Sequence, residues 1–253
     1  ERMSRRPAIR IKNCAVIIGR KFIKNLLKSV IFAIQHNHHH CQMKHILTFF
    51  VAAALSVAAY ASDSLSVVYR IRLDQDIDKA AERIVVKGLE KADEAGADYV
   101  LLDLDTYGGA VDAADSIRTA ILRYEKPVIA YINMQAASAG ALISIACDSI
   151  YMRTGSSIGA ATVVNQSGEV MPDKYQSFMR GMMRATAQAT GRDPKIAESM
   201  VDTANVLSLT PEEAIAVGYC EGKAESVDEA VRAVVGDNEF IVKNMEDDMT
   251  WLD

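Results

Sequence analysis

The apolar positions of the chain follow two rhythms. From Ser66 to Leu73 they alternate, Val67, Tyr69 and Ile71 against Val68, Arg70 and Arg72, which predicts a strand. Over 77–95 the spacing lengthens to that of a helix, with Ala81, Ile84, Val85 and Leu89 on one face and Gly96 as the stop. Residues 99–104 and 127–132 are short unbroken apolar runs suited to strands buried on both faces of a parallel sheet. Helical spacing fills 113–124 between them. A helix of small residues follows at 136–146 and a strand at 149–152. Further helices are predicted over 172–190 and 193–201. Thr210-Pro211-Glu212-Glu213 carries the capping box and first-turn proline of another helix, closed by Gly218, and 226–235 forms the next. This β-α-β-α alternation predicts an α/β domain around a mostly parallel sheet. Sites in such sheets form at the carboxyl ends of strands, here 105–110 and 133–140.

Charge divides the chain before that domain begins. Residues 1–61 hold ten Lys/Arg and one acid, a net of +9, whereas 62–253 hold eighteen and 32, a net of −14. Met43-Lys44-His45, an apolar stretch and Ala59-Tyr60-Ala61 have the layout of a secretory signal peptide over 43–61. The apolar stretch is shorter than the ~20 residues a membrane span needs, which favours cleavage over anchoring. Residues 1–42 take no part in this layout. An over-extended reading frame fits them, and a basic targeting arm is the alternative. The expected mature part, 62–253, is 192 residues, enough for one domain with a substantial core. It is expected to work outside the cytoplasm, where Cys147 and Cys220 either pair or stay as two buried thiols. Half the residues are hydrophobic and 24% are charged, which excludes a disordered, collagen-like or multi-span membrane protein. The acidity of the mature part argues against nucleic acid and anionic lipid as partners.

Composition also narrows the chemistry. All five histidines, His36, His38, His39, His40 and His45, precede residue 62. A Ser-His-Asp triad cannot be built within the domain, and neither can a histidine metal site. Gly155-Ser156-Ser157-Ile158-Gly159 is a literal G-x-S-x-G, but without a following histidine or an obvious helix it reads as a turn. Ser138 falls at a helix start, where free N–H groups favour developing negative charge, and its neighbours are small. Taken alone it is better read as an N-cap serine on a tightly packed helix. The glycines of Leu104-Asp105-Thr106-Tyr107-Gly108-Gly109 let a backbone turn present N–H groups to a ligand oxygen, although such a pair after a strand is usually a plain turn. If Ser138 is a nucleophile, its base must be one of eight lysines. Lys174 shares a helical stripe with Met171, Phe178 and Met182, so its stem is expected to face inward, where burial disfavours the ammonium. The alternative is a lysine snorkelling from the helix end.

Four motifs then occur in order: Leu104-Asp105-Thr106-x-Gly108-Gly109, Ala137-Ser138-Ala139-Gly140, Gly155 to Ala160, and Leu209-Thr210-Pro211-Glu212-Glu213-Ala214. Over 67–253 the chain resembles the NfeD-type membrane-bound serine proteases, of the Clp-protease/crotonase fold class. The resemblance implies Ser138 as nucleophile, Lys174 as base, and the amides of Gly109 and Ala139 as oxyanion hole. Tyr107 stands where the family usually has proline, so a side chain there, beside Gly108, is expected in the substrate groove. The resemblance further implies no cofactor and no metal, a homodimer, and cleavage of apolar segments of stomatin/flotillin-like membrane proteins. Long members continue through membrane helices, so an anchor beyond residue 253 is expected unless this is a soluble short form. Two other functions fit the fold class: a non-catalytic scaffold for a stomatin-like partner, and crotonase-type acyl-CoA chemistry, which has no use for a serine–lysine pair.

Overall fold

The computed structural model describes residues 65–248; the expected leader at 43–61 and the stretch 1–42 lie outside the described residues. Strand β1 (Ser66–Leu73) leads into helix α1 (Lys79–Glu94), β2 (Tyr99–Thr106), α2 (Val111–Arg123), β3 (Val128–Ala137) and α3 (Ala139–Ala146). Then come β4 (Ser149–Met152), β5 (Ser157–Gly159), α4 (Asp173–Thr190), α5 (Pro194–Ser199), β6 (Ser208–Leu209) and α6 (Pro211–Ala216). The remainder is β7 (Gly222–Lys223), α7 (Val227–Val235), β8 (Phe240–Asn244) and a short 3-10 turn at Met245–Asp248. The strands lie in the order β6-β5-β3-β2-β1-β8, with β4 joining β3 to β7 off that path. Every pairing is parallel except β5 with β6.

Period-two alternation on the central strands builds two cores. Tyr69, Ile71, Val100, Leu102, Val128, Ala130 and Ile132 face the helices α1, α2 and α3. Val68, Leu101, Ile129 and Tyr131 face α7 through Ala230 and Val231. The alternation expected of β1 therefore does not separate core from solvent, because Val68 on its second face is also buried. On that face Arg70 pairs with the buried Asp103 across β1 and β2. Every residue of α3 is buried, which suits a helix of small and aliphatic side chains wedged between the sheet and α2 and α4.

The end of β3 also differs from the sequence reading. Strand β3 does not end at residue 132: its first half pairs with β4 through Ile129–Ile132, and its second half pairs with β5 through Gln135–Ala137. The small-residue helix therefore begins at Ala139 rather than at 136. The G-x-S-x-G segment is not merely a turn, since residues 157–159 form β5. A strand that changes partners midway leaves no periodic signal at the change, and three residues are too few to show one.

Cys147 and Cys220 are free and buried, so the second of the two expectations for them holds. Cys147 Sγ lies 3.4 Å from the Ile143 carbonyl, and Cys220 Sγ lies 3.0 Å from that of Gly222. Burial pushes the Cys220 thiol up to about 11. A thiol-alkylating reagent at pH 8 is expected to leave both unmodified in the native protein and to modify both in denaturant. Modification of either one without loss of structure would contradict this packing.

Candidate active site

Ser138 occupies the single residue between β3 and α3. Its φ is 53° and its ψ is −112°; Ser138 and Ala160 are the non-glycine residues with positive φ among those described. A side chain disfavours that half of backbone space by about 1–3 kcal/mol, so the surroundings must hold it there. The Ser138 N–H donates to the Gly159 carbonyl on β5 at 2.8 Å, while its own carbonyl accepts from Ala141 and Leu142. Its hydroxyl makes no capping bond to the helix. Ser138 is thus the N-cap of α3 by position, but its hydroxyl does no capping and is left for other use. A serine on a strained strand-to-helix turn is the arrangement that exposes a nucleophilic oxygen above a parallel sheet.

The Gly-Gly turn after β2 lies directly against it. A Cβ on Gly108 would fall 2.7 Å from Ser138 Cβ and 3.2 Å from its Oγ. A Cβ on Gly109 would fall 2.3 Å from the Ile77 carbonyl oxygen. Ile77 brackets the turn, donating to the Gly108 carbonyl at 2.8 Å and accepting from Ala110 N–H at 2.7 Å. The Gly108 N–H is taken by Thr106 Oγ1 at 3.1 Å. The N–H groups of Gly109 and of Ala139, the first residue of α3, have no hydrogen-bond partner among the described residues. Ser138, Gly108, Gly109 and Ala139 are thus brought together at the ends of β2 and β3. Tyr107 projects from the same turn and is 79% exposed.

Lys174 is placed differently from the expectation. It stands in the first turn of α4 and is exposed, not inward, with its ammonium 4.8 Å from the centre of the Tyr175 ring. Met182 on the same stripe is buried, but Phe178 is 62% exposed; the buried face of α4 runs instead through Gln176, Met179, Met183 and Thr186. Among the described residues no hydrogen bond joins Lys174 to Ser138. Lys174 does line a groove of about 520 Å³ between α2 and α4, over an apolar floor of Val111, Val163, Phe178, Met179 and Met182. Asp112 and Asp115 edge the α2 side, each with a cation: Lys79 Nζ at 3.2 Å from Asp112 and Arg118 on Asp115. The bond from Lys79 holds the Asp112 carboxyl below the usual carboxylate range. Val111 follows the Gly-Gly turn by two residues in the chain, and Val163 follows Gly159 by four. Gly159, Ile77 and Thr106 are the site residues that sequence reading missed. Gly159 was visible as the last residue of the G-x-S-x-G segment, and Thr106 as the third of Leu-Asp-Thr. Ile77 contributes only backbone and leaves no signal.

Residues 67–244 match the family described as NfeD1b, N-terminal domain. The chain belongs to this family. It is 33% identical over 198 residues to the membrane protein NfeD1b of Bacillus subtilis, covering 74% of this chain and 45% of that protein. It is 34% identical over 149 residues to the membrane-bound protease PH1510 of Pyrococcus horikoshii, covering 56% of this chain and 33% of that protein. The chain therefore spans less than half the length of either relative. Among solved structures it is similar to 1510-N, a membrane-bound stomatin-specific protease, as a lysine-to-alanine variant in complex with a substrate peptide. That match has a TM-score of 0.65 and 27% identity over 72% of this chain and 92% of the other. A serine-to-alanine variant of the same protease matches with a TM-score of 0.63 at 27% identity, over 71% of this chain and 98% of that one. ClpP1 of Listeria monocytogenes matches with a TM-score of 0.52 at 20% identity, over 63% of this chain and 92% of that one, a likeness of fold alone. The fold of this NfeD domain is that of the Clp proteases.

Two glycine substitutions test the packing around Ser138. Gly108→Ala puts a side chain at φ of 116° and a methyl 2.7 Å from Ser138 Cβ, and is expected to lower the melting temperature and, if Ser138 reacts with a fluorophosphonate, to cut that reaction at least tenfold. Gly109→Ala meets the Ile77 backbone instead and is expected to lower the melting temperature by several degrees, the effect of about 1–3 kcal/mol. Unchanged reactivity of Gly108→Ala, or unchanged stability of Gly109→Ala, would contradict this geometry.

Proposed function

We propose that the chain is a serine endopeptidase that cuts apolar segments of stomatin/flotillin-like membrane proteins, with Ser138 as nucleophile and Lys174 as base. The observation that carries this reading is the state of Ser138: a strained strand-to-helix position, an uncommitted hydroxyl, and two unbonded N–H groups beside it. Relatedness adds support, since the solved relatives include serine and lysine variants of a stomatin-specific protease, and the candidates in this chain are likewise a serine and a lysine. The apolar floor of the groove suits an apolar substrate. The leader-like stretch at 43–61 and the membrane-associated relatives support a domain working outside the cytoplasm beside a membrane; the anchor and the homodimer belong to the proposal through the family resemblance alone.

In the proposed reaction Ser138 Oγ attacks the scissile carbonyl carbon while its proton passes to the neutral Lys174 amine. The carbonyl π electrons move to oxygen, and the Gly109 and Ala139 N–H groups donate to that oxyanion. The C–N bond breaks as the oxyanion collapses, and the departing amine takes the proton from the Lys174 ammonium. Water then attacks the acyl ester with Lys174 as base again, releasing the acid and restoring Ser138. Lys174 must leave the Tyr175 ring to do this.

The test is cleavage of apolar and polar peptides by the 253-residue chain across pH 6–10, with single variants alongside. Apolar peptides are expected to be cut, with a rate that rises with pH. Ser138→Ala is expected to lower kcat/KM by about a thousandfold or more, and Lys174→Ala by about a hundredfold. Full activity in Ser138→Ala would overturn the reading. Stoichiometric capture of a stomatin-like protein without turnover would replace it with the scaffold.

A further inference from the structure

Thr106 is nearly fully buried, yet its side chain makes three contacts that the proposed chemistry does not use directly. Its hydroxyl donates to the Gln75 carbonyl at 2.7 Å. With its one proton committed there, its lone pairs accept from the Gly108 N–H at 3.1 Å. Its methyl packs on the other side, where a Cβ on Gly140 would come within 2.7 Å of Thr106 Cγ2. One side chain therefore touches both halves of the site, the Gly-Gly turn through its oxygen and the first turn of α3 through its methyl.

We propose that Thr106 is the positioning residue of the oxyanion hole, fixing Gly109 rather than Gly108 as its donor and setting that donor against Ala139. This rests on the protease reading above. Gly108 and Gly109 have φ of 116° and 151°, a region that restrains glycine little, so the turn needs an external hold. Ile77 binds the Gly108 carbonyl and the Ala110 N–H. Thr106 binds the remaining inward group, the Gly108 N–H, and Gly109 is the residue left with its N–H unbonded. Valine would keep the methyl contact but leave the buried Gly108 N–H and the Gln75 carbonyl without their partner. Serine would keep the hydroxyl and lose the methyl. The two substitutions thus separate orientation of the donor from packing.

The experiment measures peptide hydrolysis and binding of an apolar peptide boronate, which forms a tetrahedral adduct on a reactive serine, in the 253-residue chain. Thr106→Val is expected to lower kcat about tenfold to a hundredfold with KM changed less than about twofold, and to weaken the boronate in the same ratio as kcat/KM. Ground-state affinity for the uncleaved peptide, measured in Ser138→Ala with and without Thr106→Val, is expected to stay the same. Thr106→Ser is expected to keep kcat and boronate affinity within about threefold, even with a lower melting temperature. Equal kcat in folded Thr106→Val and wild type would overturn the role, as would equal losses of boronate and ground-state peptide affinity. If Thr106→Val does not fold, Thr106→Ser carries the test, and a tenfold loss of boronate affinity in the folded serine variant would overturn it. A wild type that forms no adduct and cuts no peptide removes the protease reading and this role with it; an active wild type with an indifferent Thr106→Val removes the role alone.

Discussion

The bond from the Ser138 N–H to the Gly159 carbonyl holds the candidate site together. It fastens a residue with φ of 53° to β5, and β5 in turn is fixed from its far side. Gly159 lies so close to the backbone at Leu207 that a Cβ would meet the Leu207 carbonyl oxygen at 2.4 Å, and that oxygen also accepts from Ala160 N–H at 2.9 Å. The two strained non-glycine residues, Ser138 and Ala160, thus flank one clamp. Strain of about 1–3 kcal/mol per residue persists only where neighbouring structure over-determines it. Here the extension of β3 past Ile132, the short β5 and the antiparallel β6 supply that constraint. Without them β3 would run directly into α3 and Ser138 would be an ordinary cap.

On the opposite side of the serine the constraint is the β1–α1 connection. Ile77 and Gln75 reach across to the Gly-Gly turn through backbone groups, and Thr106 gathers those contacts beneath it. Two segments, the Gly-Gly turn after β2 and β5, therefore meet Ser138 from either side, and Val111 and Val163, which follow them in the chain, line the apolar groove.

Much of this was legible in the chain. The unbroken apolar runs of β2 and β3, the capping box at Thr210 and the glycine stop after α1 are local signals with a local cause, and the elements formed where those signals lie. The absence of histidine after residue 61 is enough by itself to direct attention to serine and lysine. What was illegible depends on distant contacts. The partner change within β3 depends on residues 157–159 arriving from beyond β4. Lys174 shows the limit of periodicity: the buried face of α4 runs through Gln176, Met179, Met183 and Thr186, so Met182 lies at its edge while Phe178 and Lys174 lie outside it, along the groove. A buried Gln and Thr hide the true inward face from a hydrophobic-spacing argument, and an exposed Phe178 imitates one.

The central claim is that Ser138 and Lys174 act as one unit although the lysine rests on the Tyr175 ring. The most direct measurement is the pH dependence of acylation by a neutral active-site acylating agent, followed by intact-mass and peptide mapping in wild type and in Lys174→Ala. The account predicts a single acyl group on Ser138, added at a rate that rises with pH along one ionisation, and the disappearance of that ionisation in Lys174→Ala. Acylation elsewhere in the chain, or the same pH profile with and without Lys174, would contradict it.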